Sequence, residues 1–250
     1  MRILSDNYVK TATITALTEA VGYEFNTALK DTRLSRIART IDLTSQTIVF
    51  DLGSAKAIDY FAIIKHNLTS SAIIHIQGNA SDVWTAPTVD VTVTWTVNNI
   101  IYNWSSAQTY RYWRITISDA TNTDTFISMS KVYLGGYVQL PNMGKSQKLN
   151  VSSTSDVAES VSGQSYGDPG YFYLSGDVTF PIIEDSEKLT IETLFRLTDK
   201  YTPVILLIWE NDLTIQPPIY SRITNDMQFT RIDGMVGRKW SLNFSFKEVF

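Results

Sequence analysis

The stretch from Thr47 to Gly78, TIVFDLGSAKAIDYFAIIKHNLTSSAIIHIQG, limits what this chain can fold into more than any other. It reads as three strands in a row. Ile48–Leu52 is a short apolar run stopped by Asp51 and Gly53, a turn signal. Ala57–Asn67 puts Ile58, Tyr60, Ala62 and Ile64 on one face and Phe61 and Ile63 on the other. A strand apolar on both faces and rich in Ile and aromatics belongs between two layers. Ala72–Gln77 follows, with Ile74 and Ile76 opposite Ile73 and His75. Strand, turn, apolar strand, turn, strand is the order of an all-β sandwich.

The alternation continues downstream. In Thr88–Val97, Val89, Val91, Val93, Trp95 and Val97 face one way and Thr92, Thr94 and Thr96 the other, which predicts a half-buried strand. Asn98–Asn99 reads as a turn and Ile101–Trp104 as a short apolar segment. Tyr110–Ser118 and Ile127–Leu134 read as closing strands. Upstream, Thr11–Leu17 alternates weakly, and polar Asn26–Thr40 predicts a loop with at most one helical turn. Gly135–Gly136 punctuates the chain, and composition shifts after Pro141. A chain of 250 residues exceeds one ordinary domain. We place two, at residues 1–137 and 138–250.

The second part opens on a Ser-rich segment, 146–165, with seven serines and few large apolar groups. Leu149 and Val151 alternate with Lys148, Asn150 and Ser152, and Val157 and Val161 return on the far side. That pattern predicts a long exposed hairpin arm whose strands are satisfied by another subunit. Asp177–Ile183 is a further strand. Asp185–Leu197 is the one helix, with Asp185 or Ser186 as cap and a stripe of Leu189, Ile191, Leu194, Phe195 and Leu197. Val204–Trp209, Ile219–Thr224 and Met227–Ile232 read as strands. In Trp240–Glu248, Trp240, Leu242, Phe244 and Phe246 alternate with Ser241, Asn243, Ser245 and Lys247. We expect this terminal strand to be buried in the second domain and required for assembly.

Chemistry is sparse. The net charge of −4 argues against nucleic acid, whose binders cluster Lys and Arg. With no cysteine, neither disulfides nor thiolate metal sites are available. The first residues lack the basic start and apolar core of a signal peptide, and Val204–Trp209 is far too short to cross a bilayer. A soluble protein assembled inside a cell is the expectation. His66 and His75 flank a turn and can approach each other, but a zinc site needs three or four ligands. His66 reads as a hydrogen-bonding residue. There is no Gly-x-Ser-x-Gly and no phosphate loop, and the acids sit mostly in turns and helix ends. We expect no enzyme, no catalytic residues, no cofactor and no metal.

Tryptophan is the remaining signal. Trp95 and Trp113 lie in strands and read as core, whereas Trp84 and Trp104 sit at loop edges. There an aromatic plate can stack on a sugar, with Asn79, Asp82, Asn103 and Gln108 as polar partners. Alternatively these two rings close the ends of the sandwich or pack on a neighbouring subunit. Arg114 reads as a stem-buried residue paired at the sheet edge.

Four pieces in order, IVFDLG, IIKHN, the Asp82–Trp84 loop and YWRI, followed by Val132–Gly135, make the first 135 residues resemble the discoidin (coagulation factor 5/8 C-type) family. That resemblance implies a jelly roll of the galactose-binding-like fold, and in particular its versions in tailed-phage virion proteins. In some members the loop equivalent to 26–40 holds calcium. Here only Asp31 and Asp42 are at hand, whereas calcium takes six or more oxygens. The second part is similar to the β-barrel belt module of tail-hub and distal tail proteins, on SGQSYGD, one helix, and the ending WSLNFSFKEV. The domain order is reversed relative to distal tail proteins. Together the resemblances imply a structural protein of a long phage tail tip or baseplate, located in the virion and assembled in the host cytoplasm. Its barrel would form a ring with copies of itself and meet tube, hub or fibre proteins. The discoidin-like domain would project towards protein or host-surface glycan. The alternative is a carbohydrate-binding module for host surface polysaccharide. Neither reading involves nucleic acid or membrane insertion.

Overall fold

The computed structural model describes residues 1–97, 99–144, 147–209, 217–233 and 237–249. Asn98 of the predicted turn and Ser146 of the predicted arm lie outside the described residues. The chain forms two compact units, one of Arg2–Val138 with Leu207–Pro218, the other of Met1, Gln139–Leu206 and Ile219–Phe250. Both are built from strands, so the protein is all-β with one long helix.

The first unit contains β1 (Arg2–Leu4), β2 (Thr13–Ala16), β3 (Ala38–Arg39), β4 (Gln46–His66), β5 (Ile73–Asn79), β6 (Val89–Val93), β7 (Asn99–Ser118) and β8 (Ser128–Gly135), with a single helical turn, α1 (Phe25–Ala28). Pairing is antiparallel in the order β3-β8-β4-β7-β5-β6, with β2 on β4. The predicted strands Ile48–Leu52 and Ala57–Asn67 are one strand here, not two. The Asp51-Leu52-Gly53 signal makes a bulge instead of a reversal. Asp51 Oδ1 accepts from the Gly53 amide at 2.8 Å, Gly53 takes φ of 75°, and the register with β7 shifts between Asp51 and Lys56. The strand therefore bends and continues from one layer into the other. Its partner β7 bends with it, joining the predicted Ile101–Trp104 and Tyr110–Ser118. A second shift, between Ile58 and Tyr60, moves Ile58 into the core beside Phe61 and Ile63, off the Tyr60 face where strict alternation placed it.

Phe50, Trp113, Ile115, Ile117, Ile74 and Ile76 from one half meet Phe61, Ile63, Ile100, Val132 and Leu134 from the other in a single core. Each such side chain contributes about 1.5–3 kcal/mol on burial. Trp113 lies on Gly78, where a Cβ would stand 3.1 Å from the indole. Strand β6 stops at Val93. Trp95 is only half-buried and donates Nε1–H to the Leu68 carbonyl at 2.9 Å, and Val97 is 70% exposed, so the predicted strand runs four residues too far.

After β9 (Val138–Gln139), the second unit contains β10 (Lys148–Ser153), β11 (Asp156–Glu159), β12 (Ser165–Asp168), β13 (Phe172–Glu184), α2 (Asp185–Thr198), β14 (Val204–Leu207), β15 (Ile219–Ile223), β16 (Gln228–Ile232) and β17 (Lys239–Glu248). Antiparallel neighbours run β10-β13-β17-β15-β14. Strand β17 is the centre: β13 lies on one side, and on the other β16 pairs its first half and β15 its last residues. Leu242, Phe244 and Phe246 are buried, with Phe180 stacked on Phe244 at 6.0 Å between centroids. Trp240, the fourth residue of that face, is half-exposed because its Nε1–H donates to Asp185 Oδ1 at 2.7 Å.

Helix α2 is capped by Glu184 and Glu187 in a reciprocal capping box, not by Asp185 or Ser186. Its inward face is Ile191, Leu194 and Thr198, whereas Leu189 and Leu197 of the predicted stripe face solvent. Segment 148–174 is a hairpin arm. Strand β10 edges the main sheet, and among the described residues β11 and β12 pair only with each other, with every residue of both strands exposed. Among the described residues, no helix is long and apolar enough to cross a membrane.

Candidate functional site: a tryptophan-capped polar face

Alternation along β5 and β7 sends Ile74, Ile76, Trp113 and Ile115 inward, so His75, Gln77 and Arg114 share the outer face. Register sets Gln77 opposite Arg114 on one side and Asp90 of β6 on the other. The three link up. Arg114 Nε–H donates to Gln77 Oε1 at 2.8 Å, and the Gln77 amide donates to Asp90 Oδ2 at 2.9 Å. Asp90 Oδ1 lies 3.0 Å from His75 Nδ1. Trp84, in the β5–β6 loop, caps the row with its ring centroid 4.6 Å from the Arg114 guanidinium carbon.

That loop is tied by its own polar residues. Asn79 donates to the Val83 carbonyl at 2.7 Å and accepts from the Ala80 amide and the Thr88 hydroxyl. Asp82 accepts the Trp84 Nε1–H at 2.6 Å. Asn79 and Asp82 thus hold the loop and the indole. Burial pulls the Arg114 guanidinium below its ordinary value, with Asp90 and Asp82 opposing. Along the same face Arg111 grips Asp51 through two bonds at 2.7 and 2.8 Å, which lowers the carboxyl and raises the guanidinium. Each cation thus has carboxylates at hand. The face offers hydrogen bonds beside a flat ring, without a field of one sign.

The other three predicted residues lie elsewhere. Trp104 turns towards the core, 5.2 Å from Trp113 and 5.0 Å from Tyr102, with its buried Nε1 unpartnered. Gln108 bonds the Ser106 carbonyl at 2.8 Å, and Asn103 is exposed. No hydrogen bond or ring contact among the described residues joins these three to Trp84. Sequence reasoning did not find Gln77, Asp90 and His75 as a group, nor Arg114 as part of it. Their outward parity was readable, but their adjacency depends on strand register.

The two histidines do not meet. His66 accepts the Leu68 amide at Nδ1 and lies 3.1 Å from the Thr96 carbonyl at Nε2, so its proton is on Nε2. Burial holds its pKa down, and it stays neutral. It belongs to a clamp at the other end of β5. There buried Asp119 accepts from the Thr69 amide and hydroxyl, Ser71 and Asn122, while Asn67 bonds Ser128 and Phe126. Among the described residues, no three His, Asp or Glu side chains gather to hold a metal.

The oxygens at hand around residues 28–42 are already engaged and do not form a calcium site. The Ala28 carbonyl is taken by the buried Lys131 ammonium at 2.7 Å, Asp31 is bound by Arg33 at 2.7 Å, and Asp42 accepts from Thr44 and Gln46. Lys131, a cation of the chain's own, already sits on the Ala28 carbonyl beside Asp31.

No family model and no curated protein matches the chain. Solved structures similar to it include chitosan-binding module 1 of a chitosanase/glucanase from Paenibacillus sp. IK-5, at 20% identity, 52% of this chain, 99% of that one and a TM-score of 0.43. The lectin domain of lectinolysin complexed with Lewis B antigen matches at 11% identity over 52% of this chain and 96% of its own, TM-score 0.43. The family 32 carbohydrate-binding module of Clostridium perfringens NanJ, in complex with galactose, matches at 15% over 55% and 100%, TM-score 0.42. The likeness takes in about half of this chain and nearly all of each module.

Proposed function

We propose that the chain is a non-catalytic attachment protein whose first unit binds carbohydrate on the Trp84–Arg114 face. The observation that carries this reading is a half-buried indole fixed from two sides, by Asp82 and by Arg114, at the end of the Arg114–Gln77–Asp90–His75 row. A rigid aromatic plate takes the C–H face of a sugar ring, and fixed donors and acceptors beside it take the hydroxyls. Because Asp82 and Asp90 flank the Arg114 guanidinium and Asp51 pairs Arg111, the face suits a neutral saccharide. Preorganisation matters here, since a loop already ordered by Asn79 loses little freedom on binding. A glycan array probed with the full chain should give discrete hits, and Trp84→Ala should weaken the best of them by about tenfold or more, ~1.4 kcal/mol. No hit with the wild type, or equal binding by Trp84→Ala, overturns the reading.

A second reading concerns what the module is attached to. The arm of the second unit exposes Val157, Tyr166 and Phe172, and among the described residues β11 and β12 find no partner beyond each other. Strands left open in this way are accounted for when copies or partners complete them. This favours a structural role in a long phage tail tip or baseplate, the second unit joining an assembly and the first meeting the host surface. Antibody to this chain should decorate the tail tip in electron micrographs of virions. Virions that carry none of it exclude the role.

A further inference from the structure

The arm carries charges that its own unit leaves unanswered. In the β11–β12 ladder Asp156 lies directly opposite Asp168, both are exposed, and neither has a cation beside it among the described residues. Like charges facing each other across paired strands disfavour the pairing. Glu159 adds a third carboxylate near the tip, and the lysine at the arm's root is Lys148. Around the acids, Val157, Tyr166 and Phe172 stay 67%, 61% and 75% exposed.

The main sheet holds the opposite arrangement. Arg222 of β15 lies directly opposite Lys247 of β17, and neither has an acidic partner among the described residues. Lys247 instead rests 4.1 Å from the Tyr173 ring centroid. Register extends this pair into a cross-sheet row, Asn150–Ser175–Lys247–Arg222. Short polar side chains at one end and two cations at the other make a surface on which a narrow ribbon can lie.

We propose that a second copy of this chain is the partner, the Asp156–Asp168 pair of one copy docking on the Arg222–Lys247 pair of the next. Each pair relieves the repulsion within the other. The acidic pair stands beyond the Ser153–Phe172 end of the β10–β13 ladder, and the basic pair lies on β17 and β15, two and three strands in from the β10 edge. The contact joins two different surfaces, so two joined copies still present one free acidic surface and one free basic surface. Repetition gives a closed ring or an open filament. The inference deepens the assembly role above and is independent of glycan binding.

Charge exchange tests it on the full chain by mass photometry. Wild type should assemble in low salt and fall apart as salt rises. Asp156→Lys/Asp168→Lys should be monomeric, and so should Arg222→Glu/Lys247→Glu. Mixing the two variants should restore assembly, because each arm then meets an opposite face. With no native cysteine, the geometry can be read by cross-linking. Asp168→Cys and Lys247→Cys should form disulfides when mixed and none alone. A wild type that stays monomeric, variants that assemble undisturbed, or Asp168→Cys linking to itself each overturn the proposal. A chain that binds glycan yet never assembles sinks only this contact, whereas absent glycan binding leaves it standing.

Discussion

Lys131 shows how one buried side chain sets a pH response. The residue is 5% exposed, its ammonium donates to the Ala28 carbonyl, and burial pulls its pKa from 10.5 to about 8. The folded state gives up this proton more readily than the unfolded chain does. The cost of holding it is therefore present below pH 8 and is released as pH rises from about 8 towards 10.5. Stability of the first unit should increase over that window by up to about 3 kcal/mol. Above pH 10 the trend reverses, because burial raises the Tyr133 phenol and the folded state resists its ionisation. Lys131→Met should flatten the rise between pH 8 and 10 in calorimetric melts, and a rise that survives the substitution places its origin elsewhere. Since the ammonium already occupies the loop, adding calcium or a chelator should leave the melting temperature unchanged.

Among the elements, two make predictions of different kinds. The His66–Ser71 turn is held by Asp119, which accepts four hydrogen bonds while fully buried. Asp119→Ala orphans those donors and should cost about 3 kcal/mol. The first-unit melting transition should fall while the Trp84 face at the other end keeps its affinity. In β17, Phe244→Ala should cost about 3–5 kcal/mol, felt in the second unit alone. Trp240→Ala, at a half-exposed ring, should cost clearly less. The alternation of β17 could be read directly because its whole buried face follows period two. The bulge in β4 could not: Asp-Leu-Gly specifies a local turn, and only pairing with β7 converts it into a bend. Helix α2 is legible as an element and its inward face only in part: Ile191 and Leu194 of the stripe are buried, whereas Leu189 and Leu197 are apolar without being covered.

At the scale of the molecule, the all-β class was legible because strand periodicity and turn residues are local properties. The site was legible only in part. Trp84, Asn79 and Asp82 lie within one short loop, so sequence proximity found them together. Gln77, Asp90, His75 and Arg114 come from three strands, and their alignment is a matter of register. Trp104 shares its residue type with Trp84 but turns inward, where the ring of Trp113 receives it.

The most direct test of carbohydrate recognition reads the indole N–H resonances of all six tryptophans while the full chain is titrated with its best array glycan. The Trp84 indole should shift in proportion to occupancy, and Trp95 and Trp113 should stay still. A glycan that moves other indoles while Trp84 is silent contradicts recognition on the Trp84 face.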